Sequence, residues 1–158
     1  YDESQWLKTI DVNLNGTFRV TKAVLPLMYG KPGSIVNTAS RAAKFPAIFN
    51  GAYAVAKAGV IQYTKVLAKE IAGQGIRANA ICPGQIDTDL LKWQLELEAQ
   101  FYQMSVEERR KHMCGEIPVG FIGEIKDIAA LVVFLASEES RFMTGQAVNI
   151  TGGQLMEL

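Results

Sequence analysis

Histidine and cysteine are scarce in this sequence, and the scarcity removes whole classes of function. One histidine, His112, and two cysteines, Cys82 and Cys114, stand among 158 residues and make no ligand pattern with nearby carboxylates. No metal site is expected, and His112 reads as a surface residue in a charged stretch. Charge of one sign is lacking too. With 16 Lys+Arg against 16 Asp+Glu, no net field draws the chain to nucleic acid or an acidic membrane. The longest unbroken apolar run, Ile128 to Ala136, has nine residues, about half what a spanning helix needs. No secretory signal pattern is present, so a reduced, cytoplasmic setting is the expectation.

Glycine is plentiful, yet none of the 14 forms G-x-G-x-x-G, G-x-x-x-G-x-G or a P-loop, and no G-x-S-x-G elbow occurs. What the chain does have is ordinary globular composition, 49% apolar and 20% charged, in a length suited to one domain. Residues 2–29 open on Asp2 and Glu3 and repeat Trp6, Ile10, Leu14, Phe18, Leu25 and Met28 mostly at three- and four-residue steps, predicting a helix. Asn15-Gly16 inside it is turn chemistry and predicts a kink or break. Ser34–Thr38 reads as a strand, residues 52–72 as a second long helix, and Ile76–Cys82 as a strand stopped by Pro83-Gly84. Residues 88–113, rich in Gln, Glu, Lys and Arg, read as one or two surface helices forming a mobile lid. Residues 124–136 predict a helix whose apolar second half is well buried, and Gln146–Ile150 a last strand. Such alternation indicates an α/β domain with a parallel sheet, because parallel strands need helical crossovers.

The chemistry concentrates in Tyr53-Ala-Val-Ala-Lys57, with Ser40 thirteen residues before the tyrosine. Positions i and i+4 of a helix share a face, so phenol and ammonium project into one cleft. A cation beside a phenol favours the phenolate and suits it to acid–base work. Ser40, at the carboxyl end of a strand, is placed to hydrogen-bond a substrate oxygen. Alone, the pair also fits a packed ring beside a solvated lysine.

Its surroundings extend the pattern. Asp11-Val-Asn13-Leu, Gly33-Ser-Ile-Val-Asn-Thr-Ala-Ser40, Tyr53-Ala-Val-Ala-Lys57-Ala-Gly59, Gly75-Ile-Arg-Ala-Asn79-Ala-Ile-Cys-Pro83-Gly84-Gln-Ile-Asp-Thr88 and Thr144-Gly145-Gln146 to Gly152-Gly153 resemble the classical short-chain dehydrogenase/reductase family, in its order and spacing. The resemblance implies a Rossmann-like doubly wound parallel sheet, of which this chain supplies the carboxyl-terminal strands and helices. It implies that Tyr53 is the acid/base, that Lys57 activates it and holds the nicotinamide ribose, and that Ser40 polarises the substrate oxygen. Asn13 matches the asparagine whose helix distortion orders a water near the lysine. Pro83, Gly84, Ile86 and Thr88 match the segment against the nicotinamide carboxamide of NAD or NADP. Arg77 and Asn79 read as structural. Lys44, Phe45, Phe49 and Asn50 are expected as substrate-wall residues, with Leu90, Leu91 and Trp93 at the start of a substrate-covering segment over 88–116. A small alcohol or carbonyl substrate is implied, a polyol, sugar or similar secondary alcohol first and a β-ketoacyl group second. Residues 2–29 and 52–72 match helices through which family members form homodimers or homotetramers.

The family's glycine-rich strand–turn–helix is not in this sequence, and the chain opens on Tyr1 rather than Met. Residues 1–158 therefore read as part of one domain, its catalytic half, expected to bind NAD(P) weakly by itself. The strand at Ile35-Val36, interior in the family, is expected to show an unpaired apolar edge. A non-catalytic module that docks through its two long helices is the alternative.

Overall fold

The computed structural model describes residues 2–47 and 50–157. The chain runs α1 (Glu3–Ile10), a π turn (Asp11–Asn15), α2 (Gly16–Val24), β1 (Gly33–Thr38), α3 (Gly51–Ile71), β2 (Ile76–Pro83), α4 (Asp89–Tyr102), α5 (Val106–Gly115), α6 (Ile125–Ala136) and β3 (Ala147–Ile150). The three strands are parallel in the order β1-β2-β3, with Gly33 opposite Ile76 and Ala80 opposite Ala147.

Alternation along β2 sorts the two faces of the sheet. Ile76 and Ala78 pack with Leu67, Ala68 and Ile71 of α3, while Ala80 and Cys82 meet Val60 and Ile61. Arg77 and Asn79 point the other way. Arg77 donates to the Ser137 carbonyl at 3.0 Å, and Asn79 Nδ2 to the Met143 carbonyl at 2.9 Å, so both secure the connection before β3. Ser34 Oγ on β1 donates to the Leu135 carbonyl at the end of α6, at 2.8 Å. Helices thus cover both faces, as a doubly wound sheet requires.

Residues 3–27 form the expected helix, and Asn15-Gly16 does not end it. The Gly16 N–H reaches back five residues to the Asp11 carbonyl, inserting one π turn. Asp11 also pairs with Arg19, which holds its carboxyl down to about 2. The stabilisation from that pair is present above the ordinary carboxylate range and is lost as pH falls through the lowered value. An NMR titration is expected to show Asp11 titrating near pH 2, and Asp11→Asn to abolish acid sensitivity at the α1–α2 joint.

Two burial expectations meet the structure differently. β1 sits at the sheet edge, and an open groove of about 440 Å³ runs between Ile35 and Val36 and the α2 residues Val20, Thr21 and Val24. The apolar half of α6 is not well buried: Leu135 is, but Val133 is 68% exposed. An apolar sequence states how many faces a helix can bury, and this helix meets the sheet with one. Among the described residues no helix is long and apolar enough to cross a membrane.

Candidate active site

The carboxyl end of β1 gathers the sequence-predicted groups. Tyr53 and Lys57 lie one turn apart near the start of α3, with Lys57 Nζ 5.6 Å from the Tyr53 ring centroid. Lys57 Nζ also donates to the carbonyl of Thr38, the last residue of β1, at 2.9 Å. That single bond fixes the lysine and leaves two of its N–H groups to donate elsewhere. Burial pushes its pKa below the ordinary lysine value. Beside it, Asn13 occupies the π turn, its Nδ2 bonded to the Thr9 carbonyl and its own carbonyl to Thr17 Oγ1, at 3.1 and 3.0 Å. Asn13, Thr38 and Lys57 line the same groove. Close approach of α3 to the π turn depends on Gly59, where a Cβ would stand 2.9 Å from a Leu14 methyl.

Ser40 ends the run from β1 and caps the turn that follows. The Ala39 N–H bonds the Ile81 carbonyl at 2.9 Å, and Ser40 Oγ accepts the Ala42 N–H at 3.1 Å. The capping role expected of a serine at a strand end and a chemical role are compatible here. The cap uses a lone pair and leaves the hydroxyl proton to donate.

The Pro83–Thr88 segment lies at the end of the neighbouring strand and is held from three sides. The Gly84 N–H bonds the Ile150 carbonyl at 2.9 Å, Ile86 bridges to Gly123, and the Asp87 N–H bonds the Gly123 carbonyl at 2.8 Å. From α5, Arg110 Nη2 donates to Asp87 Oδ2 at 2.8 Å and holds that carboxyl below its usual range. Thr88 Oγ1 donates to the Ile86 carbonyl at 3.3 Å and accepts the Leu91 N–H at 3.4 Å, capping α4. Both bonds are long, so the hydroxyl exchanges them for a ligand at small cost. A Cβ on Gly84 would stand 2.9 Å from Thr151 Cα, a backbone atom that cannot swing aside. Gly84→Ala is therefore expected to cost about 2–3 kcal/mol of stability, seen as a lowered Tm.

The family model described as Enoyl-(Acyl carrier protein) reductase matches residues 1–154. A solved structure of a short chain dehydrogenase family protein from Francisella tularensis superposes with a TM-score of 0.87 at 34% identity, covering 98% of this chain and 63% of that one. The chain belongs to the short-chain dehydrogenase/reductase family. A 3-oxoacyl-(acyl-carrier-protein) reductase of Thermotoga maritima is 40% identical over 152 residues, 96% of this chain and 57% of that protein. The aldohexose dehydrogenase of Thermoplasma acidophilum superposes with a TM-score of 0.91 at 35% identity, over 98% of this chain and 60% of that one. The chain thus spans somewhat under three fifths of the length of the curated relative it matches.

Within this member of the family, the segment over 88–116 forms two surface helices, within the expected one or two, each with one face turned inward. α4 and α5 enclose a small core of their own, Leu91, Leu95, Met113, Ile117 and Ile122. Leu91 is therefore not a substrate-facing residue, whereas Leu90 and Trp93 are exposed. Arg109, which the sequence did not single out, donates to Glu98 at 2.6 Å and Glu116 at 3.2 Å with its side chain 11% exposed. Its only sequence signal is the i, i+7 spacing to Glu116. Lys44 is not a wall residue either, since its ammonium turns back into the sheet. Phe45 is exposed, Asn50 precedes α3 without a side-chain cap, and Phe49 lies outside the described residues.

Proposed function

We propose that the full gene product interconverts a secondary alcohol and a ketone with NAD or NADP. The observation that carries this reading is the fixed Tyr53–Lys57 pair at the end of β1, with a free Ser40 hydroxyl proton beside the same strand end. The donor set fits the nicotinamide half of the cofactor. Lys57 offers two N–H groups to ribose hydroxyls, and the Ile86 backbone and Thr88 hydroxyl offer a donor and acceptors to a carboxamide. When bound, the cofactor accepts or supplies the hydride.

The chain's own residues handle the proton and the geometry. In oxidation, the Tyr53 phenolate takes the proton of the alcohol while the carbinol carbon loses hydride. In reduction, the phenol returns it to the carbonyl oxygen as hydride arrives at the carbon. Ser40 donates its hydroxyl proton to the same oxygen and fixes its position. Lys57 holds positive charge beside the phenolate, and Asn13, in the groove with Lys57, keeps a water in reach of that ammonium.

For the substrate we favour a 3-oxoacyl group over a polyol. Leu90, Trp93, Leu97 and Phe101 recur at i, i+3, i+7 and i+11 on α4 and are all exposed, an apolar stripe beginning next to Thr88. The similarity to the acyl-carrier-protein reductase supports the same reading, while the likeness to an aldohexose dehydrogenase keeps the sugar alternative specific. The test is turnover of the full gene product with NADH and NADPH on a 3-oxoacyl thioester and on polyols. At least tenfold higher kcat/KM on the thioester is expected. Preference for the polyol overturns the substrate assignment, and no nicotinamide-dependent turnover overturns the reaction.

We propose further that a second copy packs on the two long helical segments, where Leu7, Val55 and Val66 are exposed. Light scattering of the full gene product is expected to give a dimer or tetramer, and a monomer would remove this assignment.

A further inference from the structure

Lys44 has a full set of polar partners outside the groups already placed. Its side chain is only 14% exposed, and its ammonium meets the Ala147 carbonyl at 2.9 Å, Asn149 Oδ1 at 2.9 Å and Glu157 Oε2 at 2.7 Å. Three donors thus have three acceptors, two from β3 and one from the segment after it. Asn149 Nδ2 bonds the same Glu157 oxygen at 3.2 Å, closing the cluster.

The path back from Lys44 leads to Ser40 through one tight turn. The Ala43 N–H bonds the Ser40 carbonyl at 3.0 Å, and the Lys44 and Phe45 N–H groups bond the Arg41 carbonyl at 3.0 and 2.9 Å. With the Ala42 N–H on Ser40 Oγ, residues 40–45 form a short rigid lever. One end continues from β1 and the other is nailed to β3. Between them lies Cys82 of β2, opposite Asn149. The lysine therefore ties the segment leaving β1 to β3, and Ser40 stands on that segment.

We propose that Lys44, anchored by Asn149 and Glu157, is a positioning residue that holds the Ser40 hydroxyl in register with Tyr53. This rests on the reading of Ser40 given above. The lysine touches neither substrate nor cofactor; it acts through the turn.

The test is a double-mutant cycle joined to amide exchange, on the full gene product. Lys44→Met keeps the aliphatic stem and removes the three bonds. It is expected to lower kcat by about tenfold or more with KM within about threefold, because a misplaced Ser40 hydroxyl stabilises the transition state less while substrate binding is little changed. In a Ser40→Ala background the same change is expected to cost less than about threefold, since residues acting as a unit are not additive. Glu157→Gln, a milder change that leaves two of the lysine's bonds, is expected to move kcat in the same direction by less. In both variants the amides of Ala42 to Phe45 are expected to exchange faster while those of β2 do not.

An equal kcat loss with and without Ser40, or unchanged exchange at Ala42–Phe45, overturns the proposal. The exchange measurement needs no turnover. Faster exchange in a protein inactive on every substrate would remove the functional reading and leave the tie standing. Normal turnover that ignores Lys44 would do the reverse.

Discussion

Tyr53→Phe is expected to lower kcat by about 10³-fold, the middle of the range that a positioned general acid–base supplies. The substitution removes one oxygen from a half-buried ring and leaves the helix sequence otherwise unchanged. Lys57 keeps its bond to the Thr38 carbonyl, so the geometry of the β1 end survives. Stability is expected to change by less than about 1 kcal/mol, because neither packing nor a buried hydrogen bond is lost. The measurement is kcat and KM on the preferred substrate, with a thermal melt of the same preparation. Turnover within about tenfold of the parent would remove Tyr53 as the proton carrier. A matched fall in Tm would instead make the ring structural.

Arg109→Met is expected to have the largest effect on stability. The guanidinium is 11% exposed and binds Glu98, itself 26% exposed, and Glu116, which is 58% exposed. Breaking a buried pair on one side strands the other charge, at about 3–5 kcal/mol. Solvent access at Glu116 reduces this to about 2–4 kcal/mol. Loss of the contact with the Tyr102 ring, 5.7 Å away, adds to it. Because α4 and α5 pack around a core separate from the sheet, the loss is expected to appear as local opening. Amides in α4 and α5 should exchange about 10- to 10³-fold faster while those of α3 do not. Lys92→Ala is the control. Its pair with Asp89 is 64% and 99% exposed, and exposed pairs contribute little. Equal effects of the two variants would show that Arg109 is not what joins the helices.

The order of helices and strands was legible because each element carries its period within itself. The 3.6-residue repeat of α3, the short β-branched run of β1 and the Pro-Gly stop after β2 are local facts, and their structural bounds differ from the expected ones by about a residue. The pairing of Tyr53 with Lys57 was legible for the same reason, since i and i+4 share a face in any helix. Asn15-Gly16 marked an irregularity but not its kind. Turn-forming residues tolerate many backbone states, and packing of Leu14 against Gly59 favours an inserted π turn over a break.

What the sequence determined by itself, then, is the set of elements, the parallel class of the sheet and the helix face that carries the phenol and the ammonium. Tertiary structure decided the rest. Leu91 faces a core instead of a substrate because α5 returns beneath it, and α6 stays half-open because only one of its faces meets the sheet. Lys44 leaves the site wall for β3 because three acceptors, 103 to 113 residues away, converge on one point. Contacts across such separations depend on how strands are ordered and where the chain returns, which no local period records. A lysine four residues beyond a serine is anonymous in sequence; it becomes a tie from the end of β1 to β3 only when the sheet brings the two together.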